Sequence, residues 1–128
     1  MKADRSLSDD QTTVRDLRDR VRRFVAERDW EKFHAPKNLA MALAIEAAEL
    51  MEHFQWIDGE RSRSVMEDPA RAEKIADELA DVFCYALALA NELDVDLSAA
   101  FERKMAKNAR KYPADEIRGR YGHDDPGK

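Results

Sequence analysis

Along most of this chain apolar residues return every three or four positions, and nowhere do they alternate with polar ones over a useful length. Val14, Leu17, Val21, Phe24 and Val25 open the pattern. Ser8 with Gln11 three positions later has capping-box spacing, which predicts a first helix over 9–28. Asp29 to Lys37 carries Trp30, Phe33, His34 and Pro36 and reads as a connector rich in large side chains. Leu39, Leu43, Leu50 and Phe54 then mark a second helix over 37–57, with Asp58-Gly59 as its stop and a polar loop over 60–67. Asp68-Pro69 has the chemistry of an N-cap and first turn, opening a third helix that runs to Leu93. Its residues Ile75, Leu79, Val82, Ala86, Leu89 and Leu93 form a coiled-coil-like seam. Asp96 caps a fourth helix carrying Leu97, Phe101 and Met105, which Pro113 ends after Tyr112. The expectation is an all-α fold of four main helices in one domain over 1–113, with a polar, flexible tail over 114–128.

On the third helix Ala76, Ala80, Phe83, Leu87 and Ala90 widen the apolar surface well beyond the seam. One neighbour cannot cover so wide an arc. A bundle of this size offers few neighbours, so self-association is expected to complete the core, with a dimer as the minimum.

Composition narrows the partners. The 128 residues can bury one core, and four Gly with four Pro leave little material for many turns. Lys and Arg number 22 against 27 Asp and Glu, a net charge of −5, which argues against a nucleic-acid polymer held by counterion release. No apolar run approaches the roughly 18 residues of a membrane span and no leader-like segment opens the chain, so no membrane partner and a cytoplasmic location are expected. Cys84, the single cysteine, has no partner for a disulfide and no zinc-ligand spacing around it; it reads as a small packed residue.

The informative chemistry is acidic. Glu46 falls where the stripe of Leu39, Leu43 and Leu50 would place another aliphatic residue. Glu49, His53 and Trp56 follow it at steps of three, four and three, one line down the helix. Glu78, Asp81 and Tyr85 form a similar line beside the third helix's seam. Four carboxylates between packed helices repel one another and lose hydration, so they call for cations or protons. An all-oxygen set suits a hard ion, Mg²⁺ or Mn²⁺, which binds through carboxylates together with substrate phosphates. A di-iron site would need Glu-x-x-His on two helices; here the third residues are Glu49 and Asp81.

Lys104, Asn108 and Lys111 share a face of the fourth helix, with Lys107 and Arg110 alongside. Alone that is a solvated surface suited to a helix C-terminus; beside a metal site it becomes a phosphate clamp. Trp30, Trp56 and Tyr85 could stack on a base, or Trp30 and Phe33 could simply plug the gap between the first two helices. His34 is either a polar base contact or a hydrogen-bond partner at a helix start.

Glu46-x-x-Glu49 and Glu78-x-x-Asp81 on consecutive helices resemble the signature of the MazG-like all-α nucleoside triphosphate pyrophosphohydrolases. Phe24 to Leu39 (FVAERDWEKFHAPKNL), Phe54-Gln55-Trp56, Asp77 to Val82 (DELADV) and Lys104 to Pro113 (KMAKNARKYP) are similar to the single-domain dCTP pyrophosphatases within that family. The resemblance implies a four-helix MazG-like bundle completed by oligomerisation, as a homodimer or homotetramer. It implies metal ligands at Glu46, Glu49, Glu78 and Asp81, with Glu46 or Glu49 activating a water. It implies base or sugar contacts at Trp30, His34, Trp56 and Tyr85, and triphosphate contacts at Lys104, Asn108, Arg110 and Lys111. Val21 departs from the pattern, standing where the vertebrate enzymes place a substrate-contacting histidine.

The expected activity is Mg²⁺-dependent conversion of a nucleoside triphosphate, dCTP or a modified dCTP, to monophosphate and pyrophosphate. Two alternatives share the sequence features: the same reaction on another base such as dUTP, and a non-catalytic helical oligomerisation module whose acids hold structural cations or salt bridges.

Overall fold

The structure, a computed structural model, describes residues 6–122. Among them every regular element is helical: α1 (Val14–Glu27), α2 (Pro36–Glu52), α3 (Gly59–Ser62), α4 (Pro69–Leu93), α5 (Leu97–Lys111) and α6 (Ala114–Ile117), with 3-10 turns at Glu31–Phe33 and Val65–Glu67. The all-α expectation is met. None of these helices is long and apolar enough to cross a membrane.

The four main helices lie where periodicity placed them, with ends decided by capping. Ser8 does not cap α1: its N–H donates to Thr12 Oγ1, and Gln11 N–H donates to the Ser8 carbonyl, closing a separate turn. Thr13 takes the cap, accepting from Asp16 N–H at 3.1 Å while Asp16 Oδ2 accepts from Thr13 N–H at 3.0 Å. That reciprocal pair puts a carboxylate in the first turn, where the helix dipole favours it, and α1 starts five residues later than expected. The second helix is also shorter than expected. After Glu52 the backbone tightens to bonds such as Phe54 N–H to the Met51 carbonyl at 2.9 Å, so Trp56 falls beyond the helical line of Glu46, Glu49 and His53. Asp58 then does more than stop a helix: its Oδ1 accepts from Arg61 N–H at 2.8 Å and starts α3 inside the segment expected as loop.

Asp68 and Pro69 open α4 as expected, and Asp94 closes it in the left-handed region at φ 52°. Asp96 caps α5, accepting from Ala99 N–H at 3.0 Å. The tail expected over 114–128 is described to residue 122 and holds the short helix α6; residues 123–128 lie outside the described residues, as do 1–5 at the other end.

The chain divides into two compact units, Met1–Asp94 and Val95–Lys128. In the first, α4 packs most extensively along α2 and next on α1. Its core is Val25, Leu39, Val65, Ile75, Leu87, Ala88 and Ala90. Arg18 is buried with them at 4 % exposure. Its Nε donates to Asn91 Oδ1 at 3.0 Å and a terminal nitrogen to the Ala90 carbonyl at 3.2 Å, while Asn91 Nδ2 donates to the Arg18 carbonyl at 3.1 Å. Those bonds fix α1 against the end of α4 and satisfy a charge that burial would otherwise penalise.

The expected α4 seam is only partly enclosed. Ile75 is buried, but Leu79 is 56 % exposed and Leu93 53 %, and Phe83 of the wider apolar surface is exposed as well. α1 and α2 cover separate sectors of a helix that is apolar round much of its circumference, and the rest faces outward.

Candidate metal and nucleotide site

α2 and α4 bring their acidic lines together. One carboxylate oxygen from each of Glu46, Glu49 and Glu78 lies within 4.8 Å of the others. Oε2 of Glu46 and Oε2 of Glu78 are buried without a hydrogen-bond partner. The Glu46 carboxyl is pushed from 4.5 up to about 7, first by burial, then by hydrogen bonding to Glu49 and Glu78 and by the charges of Glu49 and Asp81. A proton held between carboxyls and a cation held by them are two answers to one excess of negative charge. Three convergent carboxylates with orphaned oxygens fit a metal ion, and a hard one.

Asp81 belongs to the same electrostatic neighbourhood but lies outside this cluster of three. It faces a cavity of about 210 Å³ walled by Val21, Phe24, Trp30, His34 and Tyr85. Burial raises the Tyr85 hydroxyl, with further contributions led by the Glu46 carboxylate. The cavity's aromatic wall is built by the end of α1. Asp29 at φ 52° turns the chain, and Trp30 N–H then donates to the Val25 carbonyl at 3.0 Å. Phe24 meets the Trp30 ring edge to face at 5.8 Å between centroids. The Arg28 guanidinium covers the Phe24 ring at 3.7 Å and donates to the Phe24 carbonyl. Trp30 is thus held as a wall of the cavity.

Of the residues expected at the site, the structure gathers Glu46, Glu49 and Glu78 in the cluster and Asp81, Trp30, His34 and Tyr85 around the cavity. Trp56 is not among the cavity walls and is 87 % exposed. Lys104, Asn108, Arg110 and Lys111 lie on α5 in the second unit. Phe24 and Cys84, with the core residues Val25 and Ala88, also line the cavity and are not among the residues the sequence assigns to the site. In the sequence Phe24 belongs to the apolar stripe of the first helix. Cys84 was expected to be packed; it is exposed and lines the cavity, its thiol pushed up by desolvation and then by Asp81. The signal for Cys84 was present: 81, 84, 85 and 88 share one helical face, so a line drawn through Asp81 and Tyr85 includes it.

Carboxylates from two packed helices, converging beside an aromatic-walled cavity, define a helical protein able to hold a cation next to a flat organic group. The chain belongs to the MazG-like family, whose model matches residues 41–122. Among its relatives, human dCTP pyrophosphatase 1 is 47 % identical over 103 residues, covering 80 % of this chain and 60 % of that protein. The bovine dCTP pyrophosphatase 1 is 42 % identical over 107 residues, covering 84 % of this chain and 63 % of that protein. The chain therefore spans about three fifths of the length of these relatives. The crystal structure of a pyrophosphatase from Archaeoglobus fulgidus superposes with a TM-score of 0.73 at 38 % identity, covering 84 % of this chain and 99 % of that one.

Proposed function

We infer that this chain hydrolyses a nucleoside triphosphate, dCTP or a modified dCTP, to the monophosphate and pyrophosphate, using Mg²⁺. The observation that carries the reading is the pair of buried, partnerless oxygens on Glu46 and Glu78, in a carboxylate cluster next to the cavity of Trp30, His34 and Tyr85. The names of the relatives support it.

Glu46, Glu49, Glu78 and Asp81 would hold the ion, with Mn²⁺ a possible substitute. When bound, the divalent cation supplies neutralisation of phosphate charge and acidifies a nearby water. Trp30 and Tyr85 hold the base by stacking, with His34 as a polar contact; Trp56 is assigned to the same task from the family resemblance. Lys104, Asn108, Arg110 and Lys111 are assigned to the phosphate oxygens from the family resemblance. Glu46 or Glu49 accepts a proton from the attacking water. The new bond joins water oxygen to the α-phosphorus, the α-β bridge breaks, and pyrophosphate leaves with the bridging oxygen. No side-chain nucleophile is needed.

The exposed Leu79 and Phe83 of α4, with Met41 and Ile45 of α2, favour a homodimer or homotetramer in which a second copy covers them. A small anionic substrate, free in the cytoplasm, fits a chain of net negative charge once a cation stands between the two.

The test is pyrophosphate release from a panel of canonical and modified nucleoside triphosphates, with and without Mg²⁺. Glu49→Gln and Asp81→Asn are expected to lower the rate at least about 100-fold. Release equal to wild type in both variants would remove the assignment; release from dUTP alone would move it to another base.

A further inference from the structure

α1 supplies Val21, Phe24 and Val25 to the aromatic cavity and leads into the connector that carries Trp30 and His34, while the facing wall belongs to α4. The width of the cavity is therefore the separation of two helices. α1 packs on α4 less extensively than α2 does, and the buried apolar residues beside this contact include Val25, Ala88 and Ala90. Contact between small apolar side chains is non-directional, so by itself it leaves α1 able to slide along α4.

Position is fixed instead by one amide. Asn91 Oδ1 accepts from Arg18 Nε at 3.0 Å and from a terminal nitrogen of Arg22 at 3.1 Å, and Asn91 Nδ2 donates to the Arg18 carbonyl at 3.1 Å. Arg18 and Arg22 are one turn apart, so a single side chain of α4 grips two successive turns of α1, by side chain and by backbone. Arg18, only 4 % exposed, also donates to the Ala90 carbonyl, which takes the Asp94 N–H as well; its charge thus sits at the negative end of the α4 dipole. Asn91 is one turn beyond Ala88, and none of Arg18, Arg22 and Asn91 is among the cavity's walls. Buried polar groups often add less to stability than apolar replacements would, and their best-attested use is to fix register.

We propose that Asn91 is a positioning residue for the substrate: by gripping Arg18 and Arg22 it sets the register of α1 on α4, and so the spacing between the two walls that hold the nucleoside. This rests on the reading of the cavity as the seat of the base. A slipped α1 takes Phe24 with it, and Trp30 too, because the Trp30 N–H is bonded to the Val25 carbonyl. Glu46, Glu49 and Glu78 stand on α2 and α4, outside the gripped helix, so the ion's site keeps its geometry. Asn91 therefore governs how tightly the nucleoside is held and leaves metal and phosphate binding alone.

The experiment measures dCTP hydrolysis with Mg²⁺, inhibition by inorganic tripolyphosphate, and the melting temperature with and without Mg²⁺, in wild type, Asn91→Ala and Asn91→Asp. Asn91→Ala is expected to raise KM for dCTP about tenfold with kcat within about twofold, the signature of lost uniform binding. The inhibition constant of tripolyphosphate and the melting-temperature gain from Mg²⁺ stay at their wild-type values. Asn91→Asp keeps an acceptor for both guanidinium groups and adds a charge that holds the fold, but it loses the Nδ2 donor and sets a second carboxylate oxygen against the Arg18 carbonyl. It should match the melting temperature of wild type and still raise KM about threefold, which keeps the test open even where Asn91→Ala fails to fold. A merely structural role would lower the melting temperature and leave KM unmoved. KM equal to wild type in both variants, or a tripolyphosphate inhibition constant that rises as far as KM does, would overturn this inference while leaving dCTP hydrolysis standing. Absence of pyrophosphate release by wild type from every nucleotide would overturn the proposed function and this inference with it.

Discussion

Glu46→Gln is expected to raise the stability of the metal-free protein at pH 8 and to reduce its stabilisation by Mg²⁺. The carboxyl of Glu46 is raised to about 7 in the folded state, above the 4.5 of an ordinary glutamate. The fold therefore takes up a proton that the unfolded chain releases. Glu46's contribution is fully present below about 4.5 and is lost as pH rises through 7, where the group must ionise among Glu49, Glu78 and Asp81. At about 1.4 kcal/mol per pKa unit, and with screening at a half-buried site, the ionised form costs on the order of 1–2 kcal/mol. A glutamine has similar shape, stays neutral at every pH and can donate toward Glu49 or Glu78. In EDTA at pH 8 it should melt about 3–8 °C above wild type, the difference shrinking to nothing by about pH 4.5. Saturating Mg²⁺ should reverse the order, because an ion that binds only the folded state stabilises by about 2.7 kcal/mol at 100 times its dissociation constant, and the amide weakens its site. Differential scanning fluorimetry over pH, with EDTA or Mg²⁺, measures both effects. Wild type and Glu46→Gln melting together in EDTA at pH 8, or gaining equally from Mg²⁺, would refute the reasoning.

Two further outcomes are expected, one from the proposed substrate contacts and one from the anchor between α1 and α4. Trp30→Ala and Lys104→Ala should each raise KM for the nucleotide about tenfold with a smaller change in kcat, since stacking is worth about 1–3 kcal/mol per base and a charged hydrogen bond is comparable; steady-state kinetics separates the two constants. Asn91→Ala removes the acceptor shared by the Nε of buried Arg18 and by Arg22, and should lower unfolding free energy by about 2 kcal/mol in urea titration.

Helical periodicity determined a great deal without any tertiary information. It placed the four main helices, and it put Glu46 and Glu49, and Glu78 and Asp81, on lines beside apolar seams, because residues three and four apart must share a helix face. Helix ends were less legible. Ser8 and Thr13 both begin sequences with capping character, and the choice fell to Thr13 because only there do both partners of the box close. Trp56 left its line because the backbone tightened after Glu52, an event local spacing does not encode.

The tertiary structure alone decided how the two acidic lines meet. Three of the acids converge while Asp81 turns to the cavity, since the rotation of α4 against α2 is set by packing over their whole length and not by the spacing within either helix. The same is true of the cavity beside them. Val21 and His34 lie thirteen positions apart in the chain, on a helix and in a connector, and they line one cavity because the left-handed turn at Asp29 brings the connector back to the end of α1.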